Sequence, residues 1–124
     1  MSLVLDAGAL IAIERGDREV AAVIEVARQE GRAVIVPAGV VGQAWRGGGG
    51  QARLARLLNA RDVLVEPLAD PGARAAGVLC GAAGTTDVID ATVVLTARRF
   101  HATVITSDRG DLEALDPSLP VVDC

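Results

Sequence analysis

The sequence predicts an α/β protein, a three-layer α/β/α sandwich around a mostly parallel sheet. Two observations carry this. Short apolar runs alternate with segments of helical character along all 124 residues. The runs lack the in-out alternation of a half-exposed strand, as expected of strands covered on both faces. Hydrophobic residues make up 51% of the chain, enough for a core, and aromatics only 2%, so that core is built from Val, Leu, Ile and Ala. No repeat or second composition is visible, so residues 1–124 are expected to form one domain.

"SLVL" (2–5) reads as the first strand, and residues 7–14 as a short helix broken at Gly16. Asp17 caps the next helix, whose Val20, Val23, Ile24 and Ala27 form an apolar stripe that Gly31 ends. "AVIV" (33–36) is the second strand, followed by a helix over 38–46 and by "GGGG" (47–50), a flexible break beside the substrate groove. A helix rich in Arg and Leu covers 51–60, and "DVLVEPL" (62–68) is the third strand. Asp70 as cap and Pro71 after it open a helix over 71–83. The helix in "GTTDVIDATVVLTARRF" (84–100) follows. "ATVIT" (102–106), a short helix in "DRGDLEAL" and a strand in "LPVVDC" close the chain.

The net charge is −4, so nucleic acid is not drawn by the molecule as a whole and would need a local arginine patch. All 12 cationic side chains are arginines. The start has no basic stretch before its apolar run, and no run approaches the ~20 residues that span a bilayer. A cytoplasmic protein without a membrane partner is expected. Cys80 and Cys124, far apart, do not suggest a disulfide scaffold.

The chemistry is carried by carboxylates. Ligands of open parallel sheets bind outside the carboxyl ends of the strands. Asp6 follows the first strand directly, and Asp108 follows "ATVITS". Asp87 and Asp90 stand three apart at the start of an apolar helix, which puts them on one face. Each alone reads as a helix cap or a first-turn acid favoured by the dipole. Convergence would be costly: two carboxylates ~4 Å apart repel by roughly 4 kcal/mol at an effective dielectric near 20. With no Lys and one His, a cation is the simplest relief, and all-oxygen ligands point to Mg²⁺ or Mn²⁺. The chemistry implied is phosphoester hydrolysis.

Four segments in order, "SLVLDAGALIAIERGD", "PAGVVGQAWRGG", "DVIDATVVLTARR" and "ATVITSDRGDLEAL", resemble the PIN domains over nearly the whole chain. They look most like the VapC kind, the toxin ribonucleases of bacterial toxin–antitoxin pairs. The resemblance implies a Mg²⁺- or Mn²⁺-dependent endoribonuclease, dimeric, blocked by the C-terminal segment of a cognate antitoxin. It assigns Asp6, Asp87 and Asp108 as metal ligands and the first, third and fourth acids of a catalytic quartet. The second acid, normally a Glu, falls on Gln43, which keeps an oxygen but brings no charge. Where the family often has a hydroxyl two residues after the first Asp, this chain has Gly8. Asp90 is either the charge that Gln43 lacks or a solvated first-turn acid.

Arg46, beside Trp45, is the candidate substrate-binding cation, with Arg53, Arg56 and Arg61 either joining it or forming the solvent side of their helix. The glycine run is no phosphate loop, because no G-K-[ST] follows. His101 reads as an exposed helix end, Cys80 as core, Trp45 as core or dimer contact, and Asp111 as a supporting acid or a cap. The rival to the nuclease is a weak or inactive PIN domain that binds RNA or protein, which Gln43 favours. A phosphoacceptor receiver-like domain is set aside, since its third strand would have to end in Asp and a Lys would have to be present.

Overall fold

The computed structural model describes Met1–Cys124. Five strands, β1 (Ser2–Leu5), β2 (Val34–Pro37), β3 (Val63–Glu66), β4 (Ala102–Thr106) and β5 (Val121–Asp123), form one sheet in the order β3-β2-β1-β4-β5. All four pairings are parallel, so the sheet expected as mostly parallel is wholly so. β1 is central, with Val4 opposite Ile35 on one side and Val104 on the other.

Seven helices cover it: α1 (Ala7–Glu14), α2 (Arg18–Gln29), α3 (Ala38–Ala44), α4 (Ala52–Leu58), α5 (Asp70–Ala83), α6 (Val88–Phe100) and α7 (Arg109–Leu115). The chain steps from β1 out to β3, then crosses back to β4 and β5. Right-handed crossovers therefore put α1–α4 on one face and α5–α7 on the other. In agreement, α2 lies against β1 and β2, while α6 spans β1, β2 and β4 with α5 and α7 beside it. The direction of winding reverses between β1 and β4, the switch point where a crevice opens at the carboxyl ends. Val4, Leu5, Leu10, Ile35, Val93, Val94, Val104 and Ile105, all fully buried, make the core on both sides of β1.

Several boundaries differ from the sequence expectation, each for a local reason. Ala69, without a side-chain bond, occupies the cap of α5, and Asp70 is its first helical residue, ion-paired to Arg74 at 3.0 Å. β3 stops at Glu66 because Pro67 has no N–H to give the ladder. α3 stops at Ala44, where Trp45 turns extended (ψ 130°) and stands 40% exposed, so it is not core. His101 ends α6 in the left-handed region (φ 51°), a place more often held by glycine.

The glycine run is closed rather than free. A 3₁₀ turn, Gly49–Gln51, leads into α4, and the buried Gln51 amide ties the loop shut. Its Oε1 accepts the N–H groups of Arg46 (2.8 Å) and Gly47 (3.0 Å). Its Nε2 donates to the Ala44 carbonyl (2.8 Å) and to Glu14 Oε1 on α1. Gln51→Leu strips partners from two donors and two acceptors, and about 2–4 kcal/mol of unfolding free energy is expected to go. Urea denaturation checks this; an unchanged midpoint would show the loop to be held by other contacts.

Candidate active site

Of the helices that begin at the carboxyl rim of the sheet, α1, α6 and α7 each begin with an aspartate. Asp6 ends β1 and caps α1. It is 4% exposed, with Oδ1 accepting the Ala7 N–H (2.7 Å) and Oδ2 accepting the Thr106 hydroxyl (2.8 Å). Thr106, fully buried at the end of β4, uses the same oxygen to accept the Asp108 N–H at 2.9 Å. One hydroxyl thus orders two acids from strands that meet at the switch point. Thr106 is not among the candidates the sequence points to; its signal is a polar residue at a core position of a strand, two before an Asp.

Asp87 caps α6, its Oδ1 accepting the Asp90 N–H at 2.9 Å. Its carbonyl also receives the thiol of Cys80 (3.4 Å), so Cys80 is core that steadies the site from below. Asp108 starts α7, yet its carboxylate makes no capping bond and stays exposed. Asp111 lies in the first turn of α7 rather than at its cap.

These acids feel one another. Burial raises the Asp6 carboxyl above its ordinary range; the Ala7 and Thr106 hydrogen bonds oppose this, and Asp108 and Asp87 add to it. Half-burial, then the charges of Asp87, Asp6 and Asp111, lift Asp90 to about 7. None of the ion pairs reaches this group. Arg109, next to Asp108, turns instead to Asp123 (2.9 Å) and Glu113 (3.4 Å), and Arg98 to Asp116 (2.9 Å). The N-terminal ends of the helices that start at this rim offer positive potential.

The raised Asp90 has a consequence for stability. Its carboxyl titrates near 7 when folded against 3.8 ordinarily, so its contribution is complete below the lower value and lost as pH rises through the upper one. In EDTA the melting temperature is expected to fall from about pH 4 to about pH 7 and to level off above. Asp90→Asn should flatten most of that slope, with Asp6 leaving a remainder. Equal slopes in the two proteins would show Asp90 to be ordinarily solvated.

Asp6 thus stands within electrostatic reach of Asp87 and Asp108, and Asp90 within reach of Asp87, Asp6 and Asp111. No three His, Cys, Asp or Glu side chains close into a ready-made metal cage. The donor set nevertheless suits a hard cation, which is held by one or two carboxylates and keeps several waters. Gln43 stands exposed in the last turn of α3 and makes no hydrogen bond with the protein. Gly39, one turn earlier, lies so close to α6 that a Cβ there would meet the tip of Ile89. Gln43 thus shares the stripe of α3 that faces the start of α6. Arg46 folds back, its Nη1 donating to the carbonyls of Gly42 (3.2 Å) and Trp45 (2.8 Å). Arg53, Arg56 and Arg61 lie elsewhere, with Arg18 and Arg28 around the largest groove, about 1040 Å³ between α2 and α4, which holds none of the clustered acids.

Fold and site together define a parallel α/β protein with an acidic centre, uncompensated by any arginine, at its switch point. The chain matches the PIN domain over residues 3–116 and belongs to that family. PIN domains are generally nucleases that use divalent metal ions. Among solved structures, VapBC2 from Rickettsia felis bound to a DNA fragment from its promoter is similar with a TM-score of 0.71 at 14% identity, over 100% of this chain and 99% of that one. FitAB bound to the IR36 DNA fragment gives 0.66 at 19%, over 98% and 94%. FitAcB from Neisseria gonorrhoeae gives 0.62 at 21%, over 96% and 95%. No curated protein sequence matches the chain. No single helix is long and apolar enough to cross a membrane.

Proposed function

We propose that the chain is a metal-dependent endoribonuclease, the toxin of a toxin–antitoxin pair acting in the cytoplasm. The observation that carries this reading is the gathering of four aspartates from three parts of the chain with no arginine to neutralise them. Asp6, Asp87 and Asp108 would hold Mg²⁺ or Mn²⁺. Asp90 adds the charge that Gln43 does not bring, and Gln43 offers its amide to a water at the mouth. When bound, the ion would stabilise charge on a phosphodiester oxygen and make a water nucleophilic near neutral pH. The chain's own task is to fix Asp6 and Asp108 through Thr106, to cap α6 with Asp87, and to keep arginines from quenching the centre.

RNA is the substrate by family resemblance. Arg46, close to the mouth of α3, is its candidate contact once the guanidinium leaves the helix end. An antitoxin partner accords with the toxin–antitoxin complexes among the similar structures. The groove between α2 and α4, with arginines around Ile24 and Leu57, has the charge and floor for an acidic amphipathic segment of such a partner. A homodimer accords with Leu64, Leu68 and Val78, exposed on β3, the loop after it and α5.

Incubation with a panel of structured RNAs tests the reading. Cleavage is expected with Mg²⁺ or Mn²⁺ and none in EDTA. Tight RNA or partner binding without cleavage would establish the second reading, a PIN domain that binds without cutting, which the neutral Gln43 favours.

A further inference from the structure

We infer that Ser107 is a positioning residue of the acidic centre, its hydroxyl standing where the side chain of residue 8 would otherwise be. The inference rests on the reading of Asp6, Asp87 and Asp108 as a cation site. Its starting point is Gly8, in the first turn of α1 and two residues beyond Asp6. A glycine inside a helix destabilises it by roughly 0.5–1 kcal/mol relative to alanine. Gly8 is not among the glycines of positive φ, so its backbone does not require glycine. Space does. A Cβ on residue 8 would fall against Ser107 Oγ and lie 2.7 Å from Ser107 Cβ and 2.9 Å from its backbone nitrogen.

Ser107 is thus packed over the first turn of α1 from the end of β4. Its neighbours in sequence are Thr106, which holds Asp6, and Asp108. Ser107 is exposed, and its hydroxyl makes no hydrogen bond with the protein. A free hydroxyl that packs on the turn capped by Asp6 and stands one residue before Asp108 can donate to an acid or to a water of the cation's shell, and accept from a second water. A side chain has been exchanged across the rim: α1 gives up its own at residue 8, and the residue just after β4 delivers a hydroxyl to the same place. Gly8 and Ser107 therefore act as a pair, one making room and the other filling it.

The test is a double-mutant cycle of Gly8→Ser and Ser107→Gly, with Ser107→Ala alongside, read by melting in EDTA, by calorimetric Mn²⁺ titration and by RNA cleavage. Gly8→Ser alone is expected to lower the melting temperature by roughly 5–10 °C through overpacking. Adding Ser107→Gly removes the contacts with Oγ and Cβ but leaves the 2.9 Å contact with the backbone nitrogen, so it should recover part of that. Ser107→Ala should melt like the wild type but bind Mn²⁺ about 10-fold more weakly, as loss of a group that orients a metal's shell does. The double variant, with the hydroxyl returned on α1, should bind within about 3-fold of wild type. A Ser107→Ala protein with wild-type Mn²⁺ affinity overturns the inference, as does a double variant no more stable than Gly8→Ser. If the wild type binds Mn²⁺ but cuts no RNA, the nuclease reading falls while the titration still decides the role of Ser107. A wild type that binds no Mn²⁺ overturns both.

Discussion

Asp87→Asn is expected to slow metal-dependent RNA cleavage by about 10³-fold, and Asp6→Asn by at least as much. A bound divalent ion supplies several kcal/mol of charge stabilisation, and each 1.36 kcal/mol is a factor of ten in rate. Asparagine keeps the size of the side chain and, at residue 87, the oxygen that caps α6 at the Asp90 N–H. The fold should therefore survive. It should even gain, because one of the mutually repelling charges is gone, and Asp87→Asn is expected to melt above wild type in EDTA. Asp6 behaves differently, since both of its oxygens receive donors and an amide would turn N–H₂ toward one of them. Its melting gain is cancelled or reversed. Single-turnover cleavage rates beside thermal melts separate the two effects, and undiminished cleavage in both variants would place the chemistry elsewhere in the molecule.

Thr106→Val is the second large effect, and here stability and activity fall together. Valine has the same shape, so no cavity opens, but Asp6 Oδ2 loses its donor and the Asp108 N–H its acceptor. Each stranded buried group costs about 1–3 kcal/mol, so a loss of about 2–4 kcal/mol is expected by urea denaturation. Cleavage should drop about 10–100-fold, the range for groups that orient a metal's ligands. Without the Thr106 bond, Asp6 titrates higher still, which moves the acid limb of the cleavage profile to higher pH. Thr106→Ser, which keeps the hydroxyl, should restore most of both. Valine tolerated without loss would mean that solvent, and not Thr106, organises the two acids.

The parts of this molecule that follow from short stretches of chain are legible in the sequence. "SLVL" and "AVIV" announce buried strands by composition alone, and Asp6 and Asp108 are placed at the rim because an acid that follows a parallel strand has nowhere else to be. Asp87 and Asp90 share a face by helical arithmetic. What stays hidden depends on partners far away in sequence. Gln51 gives no sign, inside a stretch of Arg and Leu, that its amide will bind Ala44, Arg46, Gly47 and Glu14 at once. Arg46 could not be known to fold back on α3. Gly8, read alone, is only a missing hydroxyl; the serine that takes its space is about a hundred positions away. The stretch "GGGG" reads as mobile because nothing local holds it, and the hold comes from a side chain beyond its end.

The bond from Thr106 to Asp6 joins residues 100 apart, across the central pair of strands. A ribosome adds roughly 5–20 residues per second, so for several seconds the nascent chain carries its first acid with no hydroxyl to anchor it and no second strand beside it. The segment from Asp87 to Asp108 must leave the exit tunnel before the cluster can exist. The acidic centre is therefore assembled late, once the stretch carrying Asp87, Thr106 and Asp108 has emerged and β4 has docked beside β1.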